Sequence, residues 1–314
     1  IWTIGDDICW MRLGDDGRLW AINPEAGYFG VVPGTNRKTN KNAYDMITRN
    51  TIFTNVAVTD DNQPWWEGLQ DGRPALNWKG ETYGTTNGAA AHPNSRFTVS
   101  ASQNPSYSAL SEDPRGVPIS AIIFGGRRAD VAPLVYEARD WNHGVLVGAS
   151  VASETTAAAT GAVGVIRRDP MAMKPFCGYN FADYWGHWLS FGGKSNKLPR
   201  IFHVNWFRQD QDGKFMWPGF GENLRVLRWI VERCEGRATA EETPIGHVPA
   251  TGAIDTHKLD VTPDAMRALL AIDHEKWRNE MRALGEYFED YGSRLPAKLR
   301  EEHLRVVNSL GNNS

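Results

Sequence analysis

Two neighbouring carboxylates, Asp6 and Asp7, follow an apolar run near the start of the chain and have the chemistry of metal ligands. Carboxylate oxygens suit hard cations such as Mg²⁺ and Mn²⁺, and α/β proteins place ligands beyond the carboxyl ends of strands. An acid at such a point can hold a metal ion beside nucleotide phosphates. A solvated turn with two acids is the competing interpretation, which the dipeptide alone favours.

Arginines lie in two short segments that could bind anions. Residues 125–128, with the sequence GGRR, follow a predicted strand, and Arg96 follows Asn94 and Ser95 on a loop that contains a proline. Guanidinium groups match phosphate oxygens bidentately and stay charged at any working pH. A surface turn with solvated charges explains GGRR equally well. His92 is interpreted as a structural histidine, because no second histidine or cysteine lies at metal-ligand spacing.

Residues 203–223 are dense in aromatic side chains among Gly, Pro and Asn, and they follow neither a strand nor a helix period. Such a segment suits a flat slot for a purine, since base–aromatic stacking contributes about 1–3 kcal/mol per base. The amide of Asn223 could recognise the edge of the base. A small core beneath a long loop is the equally weighted alternative. The aromatic candidates for the slot are Trp206, Phe207, Phe215 and Phe220.

The sequence contains no G-x-x-x-x-G-K-[ST] phosphate loop and no G-x-G-x-x-G motif. If the chain binds a nucleotide, we therefore expect part of its phosphate site to come from outside these residues. The first residues, 1–4, already read as an apolar strand without an initiator Met or polar leader. Because chain ends usually fray in solvent, we expect the sequence to be a piece of a longer polypeptide.

The first third of the chain predicts short strands joined by turns. Strands are predicted at 1–4, 8–13, 19–22 and 51–58, with a hairpin turn at 14–17, a Gly-rich loop at 27–34 and a short helix at 42–48. Residues 60–95 are polar and predict an insertion carried on loops.

Later segments predict buried strands and then helices. Strands are predicted at 119–124 and 201–204, and a helix at 223–233. Thr262 and Pro263 are an N-cap and a first helical residue. A last helix is predicted from Pro296 to about Leu310, and one apolar helix face comprises Trp277, Met281, Leu284 and Phe288. The pattern predicts a mixed α/β core with a helical C-terminal section.

Composition excludes several classes of protein. A net charge of −3 gives no basic field for nucleic acid or an anionic membrane. No apolar run in these residues is long enough to span a bilayer, and we expect no signal peptide. Three separated cysteines, at 9, 177 and 234, predict reduced thiols rather than disulfides or a zinc site.

The motifs together resemble the GTP-dependent phosphoenolpyruvate carboxykinase family over nearly the whole chain, most weakly in 60–90 and after 240. Eight blocks occur in the family's order. They are GDDICWM at 5–11, AINPEAGYFGVVPGT at 21–35, TIFTNVA at 51–57, AHPNSRF at 91–97, IIFGGRR at 122–128, SETTAAA at 153–159, DPMAMKPFCGYNF at 169–181 and the stretch from IFHVNWF to WPGFGEN at 201–223.

This resemblance implies a mixed β-sheet nucleotide-binding core with C-terminal helices, divided into a nucleotide- and phosphoryl-binding part at 1–250 and a helical section at 251–314. It implies the reaction of oxaloacetate with GTP to give phosphoenolpyruvate, GDP and CO₂, with Mn²⁺ in the active site and Mg²⁺ on the nucleotide. A cytoplasmic monomer is expected. The partner of the chain would be the amino-terminal half of the same enzyme, and the chain alone is expected to be inactive.

The resemblance also implies roles for individual residues. Asp7 would be a ligand of Mn²⁺ with Asp6 beside it, and the segment from 153 to about 164 would be a mobile lid. Pro33 would border the nucleotide. The substrate loop would be Asn94, Ser95 and Arg96, with Arg96 also near the transferred phosphate; Arg127 would balance phosphate charge; and the guanine slot would be Trp206, Phe207, Phe215, Phe220, Gly221, Glu222 and Asn223.

Two alternatives remain open at this stage. One is a non-catalytic guanine-nucleotide-binding module derived from such an enzyme, against which Asp7, Arg96 and Arg127 argue because simple binding does not need them. The other is an ATP-dependent carboxykinase, from which a preference for GDP over ADP would distinguish this chain.

Overall fold

The computed structural model describes residues 1–84, 88–155 and 164–311. The chain forms two compact units. The first unit consists of Ile1–Arg12 and Trp20–Pro118, and the second consists of Leu13–Leu19 and the described residues from Ile119 onward. The expected functional division at residue 250 is a different kind of boundary and stays a prediction.

Short strands dominate the first third of the chain, as the sequence predicts. They form three sheets, ordered β1-β2-β9, β3-β8-β4 and β6-β5-β7. The elements are β1 (Trp10–Leu13), β2 (Leu19–Ile22), β3 (Gly27–Val31), α1 (Lys41–Met46), β4 (Thr51–Thr54), β5 (Ala57–Thr59), β6 (Pro64–Trp65), β7 (Pro74–Leu76), β8 (Arg96–Ser100) and β9 (Val117–Pro118).

The predicted Gly-rich loop at 27–34 was wrong in its first half, which is strand β3. This strand pairs antiparallel with β8, and Gly30 lies opposite Phe97. A side chain at Gly30 would stand 2.5 Å from the Phe97 ring, so the glycine lets the ring cover the strand. The glycine content that suggested a loop therefore reflects close packing.

Two further strand predictions need correction in the first unit. Residues 1–4 are not a strand, and only a single bridge joins Thr3 to Tyr107 in the described chain. The predicted strand at 51–58 is interrupted between β4 and β5, where Asn55 has a φ of 59°. Asparagine tolerates this left-handed conformation, which ends the extended run.

The second unit contains a larger mixed sheet ordered β10-β14-β11-β16-β15, in which β10 and β14 are parallel and the other pairs are antiparallel. A separate antiparallel pair is formed by β12 and β13. The elements are β10 (Ala121–Gly125), β11 (Val135–Glu137), α2 (Trp141–Ala149), β12 (Ala152–Glu154), β13 (Ile166–Arg168), α3 (Phe181–Gly192), β14 (Arg200–Val204), α4 (Asn223–Cys234), β15 (Ala240–Thr243), β16 (Gly246–Pro249), α5 (Pro263–Leu270), α6 (His274–Glu289) and α7 (Ala297–Gly311). The predicted α/β class with C-terminal helices is confirmed.

The parallel pair β10 and β14 determines where the candidate residues meet. Gly125 at the end of β10 is in register with Val204 at the end of β14. Neighbouring parallel strands end at the same edge of a sheet. The GGRR segment and the aromatic segment consequently leave the sheet side by side.

The C-terminal helices form as their caps and periodicity predict. The Thr262 side chain accepts a hydrogen bond from the Ala265 amide at the start of α5. A separate cap, Asp273, begins α6, which carries the predicted apolar face. All four side chains of that face are buried, and each stabilises the fold by about 1.5–3 kcal/mol: Trp277, Met281, Leu284 and Phe288.

None of the helices in the described ranges is long and apolar enough to cross a membrane. Cys9, Cys177 and Cys234 carry free thiols.

Candidate functional site

The arginine loop, residues 125–128, is fixed by the strand that begins the β12–β13 hairpin. The amide of Arg127 donates to Ser153 Oγ over 3.0 Å, and its carbonyl accepts from the Glu154 amide over 2.8 Å. The Glu154 carboxylate also accepts from the Ala129 amide at 2.9 Å. Both polar groups of the Arg127 backbone are thus bonded, which fixes the peptide from which its side chain extends.

Asn205 joins the arginine loop to the aromatic segment, residues 206–223. This fully buried side chain accepts at Oδ1 from the amides of Arg128 and Phe207, at 3.3 and 3.2 Å. Its Nδ2 donates to the carbonyls of Arg128 and Ala132, both at 2.9 Å. Because two acceptor and two donor bonds satisfy an amide side chain, Asn205 is a complete internal connection between the segments.

Arg127 lies against the predicted guanine slot. Its Cζ is 3.8 Å from the ring centroid of Phe207, a cation–π contact. Phe215 packs edge-on against Phe207 with the centroids 5.9 Å apart. Phe215 is 55% exposed and Phe220 is 80% exposed, although large apolar side chains are normally covered. The structure therefore places the guanidinium of Arg127 against Phe207, with the exposed ring of Phe215 at the edge of this pair.

The tryptophans of the aromatic segment have a different position from its phenylalanines. Trp217 is 1% exposed in the core, and the half-buried Trp206 packs against the same core. The indole of Trp217 donates to Asn223 Oδ1 at 2.9 Å, which orients this amide and leaves its Nδ2 and the second lone pair of its oxygen for a base edge. The tryptophans of the segment thus contribute to the core, whereas its phenylalanines Phe215 and Phe220 form an exposed aromatic surface.

The polar end of the aromatic segment leads into α4. Glu222 pairs with Arg225 at 2.6 Å, and a side chain at Gly221 would meet open space. Gly219 has a φ of 110°, a conformation that other residues rarely adopt. This turn presents Phe220 and Gly221 outward, where the sequence predicts the polar edge of a base site.

Glu280 on α6 is a functional candidate that the sequence did not indicate. Its side chain is 10% exposed, and its two oxygens contact Arg128 at 2.7 Å and Arg168 at 2.6 Å. Burial opposes ionisation of this carboxyl, but the two guanidinium groups outweigh it and lower its pKa. Burial, reinforced by the Glu280 charge, raises the pKa of the neighbouring Tyr136. No local motif surrounds Glu280, so only the fold reveals it.

In the first unit, the turn that contains Asp6 and Asp7 is held by the carboxylate of Glu25. Glu25 accepts hydrogen bonds from the amides of Asp7 and Ile8, at 3.2 and 3.0 Å. The carboxylate of Asp6 accepts from the Phe29 amide at 2.9 Å. Asp7 is exposed and offers one hard oxygen ligand. The described residues contain no group of three or more His, Cys, Asp or Glu placed to hold a metal, so they do not complete a metal shell.

The predicted substrate loop positions Arg96 at the start of β8. Arg96 Nε donates to Asn94 Oδ1 at 2.8 Å, and its guanidinium lies 5.3 Å from the Phe29 ring centroid. Ser95 is fully buried, with a hydroxyl that lacks a hydrogen-bond partner in the described part of the chain. Its carbonyl accepts from the amide of Val32, the residue before the half-buried Pro33.

His92 has the structural role that the sequence predicts. Its Nδ1 accepts from the Asn94 amide at 3.0 Å, and its ring packs edge-on against Trp78. Most of the predicted lid at 153–164 lies outside the described residues, which resume at 164.

Comparison with known proteins shows the family of the chain. Residues 1–309 match the model of the phosphoenolpyruvate carboxykinase C-terminal P-loop domain. The chain belongs to this family. Phosphoenolpyruvate carboxykinase [GTP] from Anaeromyxobacter dehalogenans (strain 2CP-C) is 56% identical over 301 residues, covering 95% of this chain and 50% of the relative. The proteins of that name from Chlamydia muridarum and Neocallimastix frontalis are 51% identical over 310 residues and 52% over 313; they cover 98% and 95% of this chain and 52% and 51% of the relatives.

The chain spans about half the length of these phosphoenolpyruvate carboxykinase relatives. The family resemblance drawn from the eight sequence blocks is confirmed. The family name includes a P-loop, whereas no G-x-x-x-x-G-K-[ST] sequence occurs in these 314 residues.

Proposed function

We infer that this chain provides the guanine-nucleotide and phosphoryl-transfer residues of a GTP-dependent phosphoenolpyruvate carboxykinase. The observation that carries the inference is the 3.8 Å contact between Arg127 and Phe207. This contact joins a candidate phosphate ligand to a candidate base platform. A nucleotide requires both groups at short range, because its stacked base and charged phosphates are covalently linked.

The proposed reaction converts oxaloacetate and GTP into phosphoenolpyruvate, GDP and CO₂. Decarboxylation leaves an enolate, whose oxygen then takes the γ-phosphoryl group. Two anions must approach each other, so fixed positive charge and exclusion of water are the main demands on the protein. We assign charge compensation to Arg127 on the nucleotide phosphates and to Arg96 beside the substrate and transferred phosphoryl group. Asn94 and Ser95 would complete the substrate loop.

In the guanine slot, Phe207, Phe215 and Phe220 are the stacking surfaces. Trp206 supports them from the core, and Asn223, with Gly221 and Glu222, forms the polar edge. Hydrogen bonding of a neutral base edge distinguishes guanine from adenine more strongly than stacking does, because every base offers a π face. We therefore expect the preference for guanine over adenine to depend on Asn223, and the affinity contributed by stacking to depend on Phe207.

Asp7 would contribute one carboxylate ligand to Mn²⁺, and Mg²⁺ would accompany the nucleotide phosphates. These ions supply charge neutralisation at the transferred group. The remaining ligands would come from the other half of the longer enzyme, which is the proposed partner. Pro33 would border the nucleotide, and segment 153–164 would exclude water. We also propose that the longer enzyme is a cytoplasmic monomer.

An assay of oxaloacetate formation from phosphoenolpyruvate, bicarbonate and Mn²⁺ tests the proposal in the longer protein that contains this chain. GDP and ADP are compared in parallel. Turnover with GDP and not ADP is expected. Turnover with ADP alone would instead indicate an ATP-dependent carboxykinase, and GDP binding without turnover would support the non-catalytic binding module.

A further inference from the structure

Glu280 connects two segments that are distant in sequence. Its Oε2 contacts Arg128 in the arginine loop, and its Oε1 contacts Arg168 in β13. Each oxygen therefore binds a different arginine. All three side chains are largely buried, at 10% exposure for Glu280, 8% for Arg128 and 13% for Arg168. Charge-assisted bonds of this length in a buried setting hold both arginines in place.

Two covalent and hydrogen-bonded routes lead from this network to Arg127. The first is direct, since Arg128 is the next residue in the chain. The second runs through β13, where Arg168 pairs with Ala152 of β12. The next two residues of β12 bond the amide and carbonyl of Arg127. Glu280 thus restrains the Arg127 peptide from both sides.

Glu280 itself has a fixed position on α6. It lies one turn from Trp277 and Leu284, both buried on the apolar face of this helix. Loss of one partner from a buried ion pair is strongly destabilising, because the remaining charge is uncompensated. Removal of the Glu280 charge would leave Arg128 and Arg168 facing each other without a counter-ion, and we expect both to move.

We propose that Glu280 is a positioning residue that sets the guanidinium of Arg127 for nucleotide phosphates. This inference rests on the proposed function for its ligand, and on the described contacts for its mechanism. Glu280 does not touch a phosphate in this arrangement. It acts by fixing the loop from which Arg127 extends.

The test compares the Glu280→Gln variant with the unaltered chain in binding GDP and guanosine, followed by calorimetry. Guanosine lacks phosphates, so the ratio of the two affinities isolates the phosphate contribution. We expect Glu280→Gln to lower this ratio about tenfold, the loss for a misplaced charge-assisted bond, and to leave guanosine affinity within about twofold. Glu280→Asp retains the charge and is expected to recover part of the ratio.

A matched control exists in the same unit. Glu137 is also a buried carboxylate between two arginines, with Arg200 at 2.5 Å and Arg233 at 2.6 Å. Glu137→Gln should reduce stability without changing the GDP-to-guanosine ratio. An equal fall in that ratio in both variants, or an unchanged ratio in Glu280→Gln, would overturn the proposal.

Hydrogen exchange provides a measurement that does not need the ligand. Glu280→Gln should accelerate amide exchange at 127–129 and 152–154, whereas Glu137→Gln should not. If Glu280→Gln does not fold, Arg168→Met is used instead, because it removes one of the two ion pairs of Glu280. An unchanged GDP-to-guanosine ratio and an unchanged exchange pattern in Arg168→Met would refute the inference. A chain that binds neither GDP nor guanosine would disprove the proposed function, while the exchange comparison would still decide whether Glu280 fixes the loop.

Discussion

At the scale of single residues, Arg127 and Phe207 have separable roles. Arg127 stacks on Phe207 with its guanidinium, but its charge is suited to phosphate, and the ring of Phe207 is suited to the base. A nucleotide that stacks on the same face of Phe207 must displace Arg127, which would then be free to contact the phosphates. Substitution of each residue should therefore affect different parts of the ligand.

Arg127→Met should remove most of the preference for GDP over guanosine, whereas Phe207→Ala should weaken both ligands. Loss of one stacking contact costs about 1–3 kcal/mol, or about five- to 150-fold in affinity. Titration calorimetry with both ligands measures these changes. Phe176→Ala, which removes a 68% exposed ring outside the aromatic segment, is the control. Equal weakening of GDP and guanosine by Arg127→Met would contradict the assignment.

The burial of His203 gives a prediction of how the stability of the fold depends on pH. The ring lies on β14, is buried against Tyr136 and has an Nδ1 without a partner in the described residues. Burial, together with the charge of Arg128, lowers its pKa from 6.5 to about 4. Between these values the unfolded chain binds a proton that the folded chain does not. The contribution of His203 to stability is therefore complete above pH 6.5 and is lost as the pH decreases towards 4.

We expect His203→Asn to make this acid dependence shallower by up to about 1.4 kcal/mol per pH unit, the effect of one proton. Urea unfolding at intervals from pH 7.5 to 4.5 measures the slope. The comparison uses the slope rather than the absolute stability, because the substitution also changes packing. Equal slopes for the variant and the unaltered chain would show that folding does not lower the pKa of His203.

At the scale of elements, local signals were sufficient for the helices and insufficient for parts of the strands. Thr262 begins α5, and the apolar spacing in α6 describes its buried face, because caps and periodicity are local properties. The β3 strand was missed because Gly30 provides space for Phe97, more than 60 residues away. Sequence composition cannot distinguish that tertiary requirement from a flexible loop.

In the candidate site too, the sequence predicted the local motifs but not the tertiary contacts between them. The arginine loop and the aromatic segment were predictable as separate motifs, and the parallel pairing of β10 with β14 explains why they meet. Glu280 could not be predicted, since its two partners come from different elements and its neighbours in α6 form no motif. Asn205 was visible in the sequence next to the aromatic residues, but its four hydrogen bonds depend on the folded loop.

Packing of α2 against β14 gives a prediction for two glycines in helices. A side chain at Gly144 would stand 2.8 Å from Ile201 Cβ, whereas one at Gly186 in α3 would have its nearest neighbour, Pro296 Cγ, at 3.7 Å. Gly144→Ala should destabilise the fold by about 1–3 kcal/mol through overpacking. Gly186→Ala should stabilise it by about 0.5–1 kcal/mol through helix propensity. Urea unfolding compares the variants, and stabilisation by Gly144→Ala would show that α2 can shift freely.

At the scale of the whole molecule, the two units carry different candidate residues. The first unit contains Asp7 and the substrate loop at 94–96, and the second contains Arg127 and the aromatic segment. The proposed guanine slot and Arg127 are thus in the second unit, whereas the first contains the candidate metal ligand, Pro33, and the substrate loop, whose Arg96 is also a phosphate candidate. Binding of a nucleotide and turnover of a substrate consequently make different demands on the chain.

The 314-residue chain is expected to bind GDP in preference to ADP but not to form oxaloacetate. Binding requires the second unit, whereas phosphoryl transfer also needs a phosphate loop and a complete metal shell, which the chain's sequence and described residues do not provide. At a GDP concentration 100 times its Kd, ligand linkage should raise stability by about 2.7 kcal/mol. Thermal unfolding with GDP or ADP measures the preference, and a coupled assay measures turnover. Equal stabilisation by both nucleotides would refute the guanine slot, and turnover by material of confirmed mass would show that the chain suffices for catalysis.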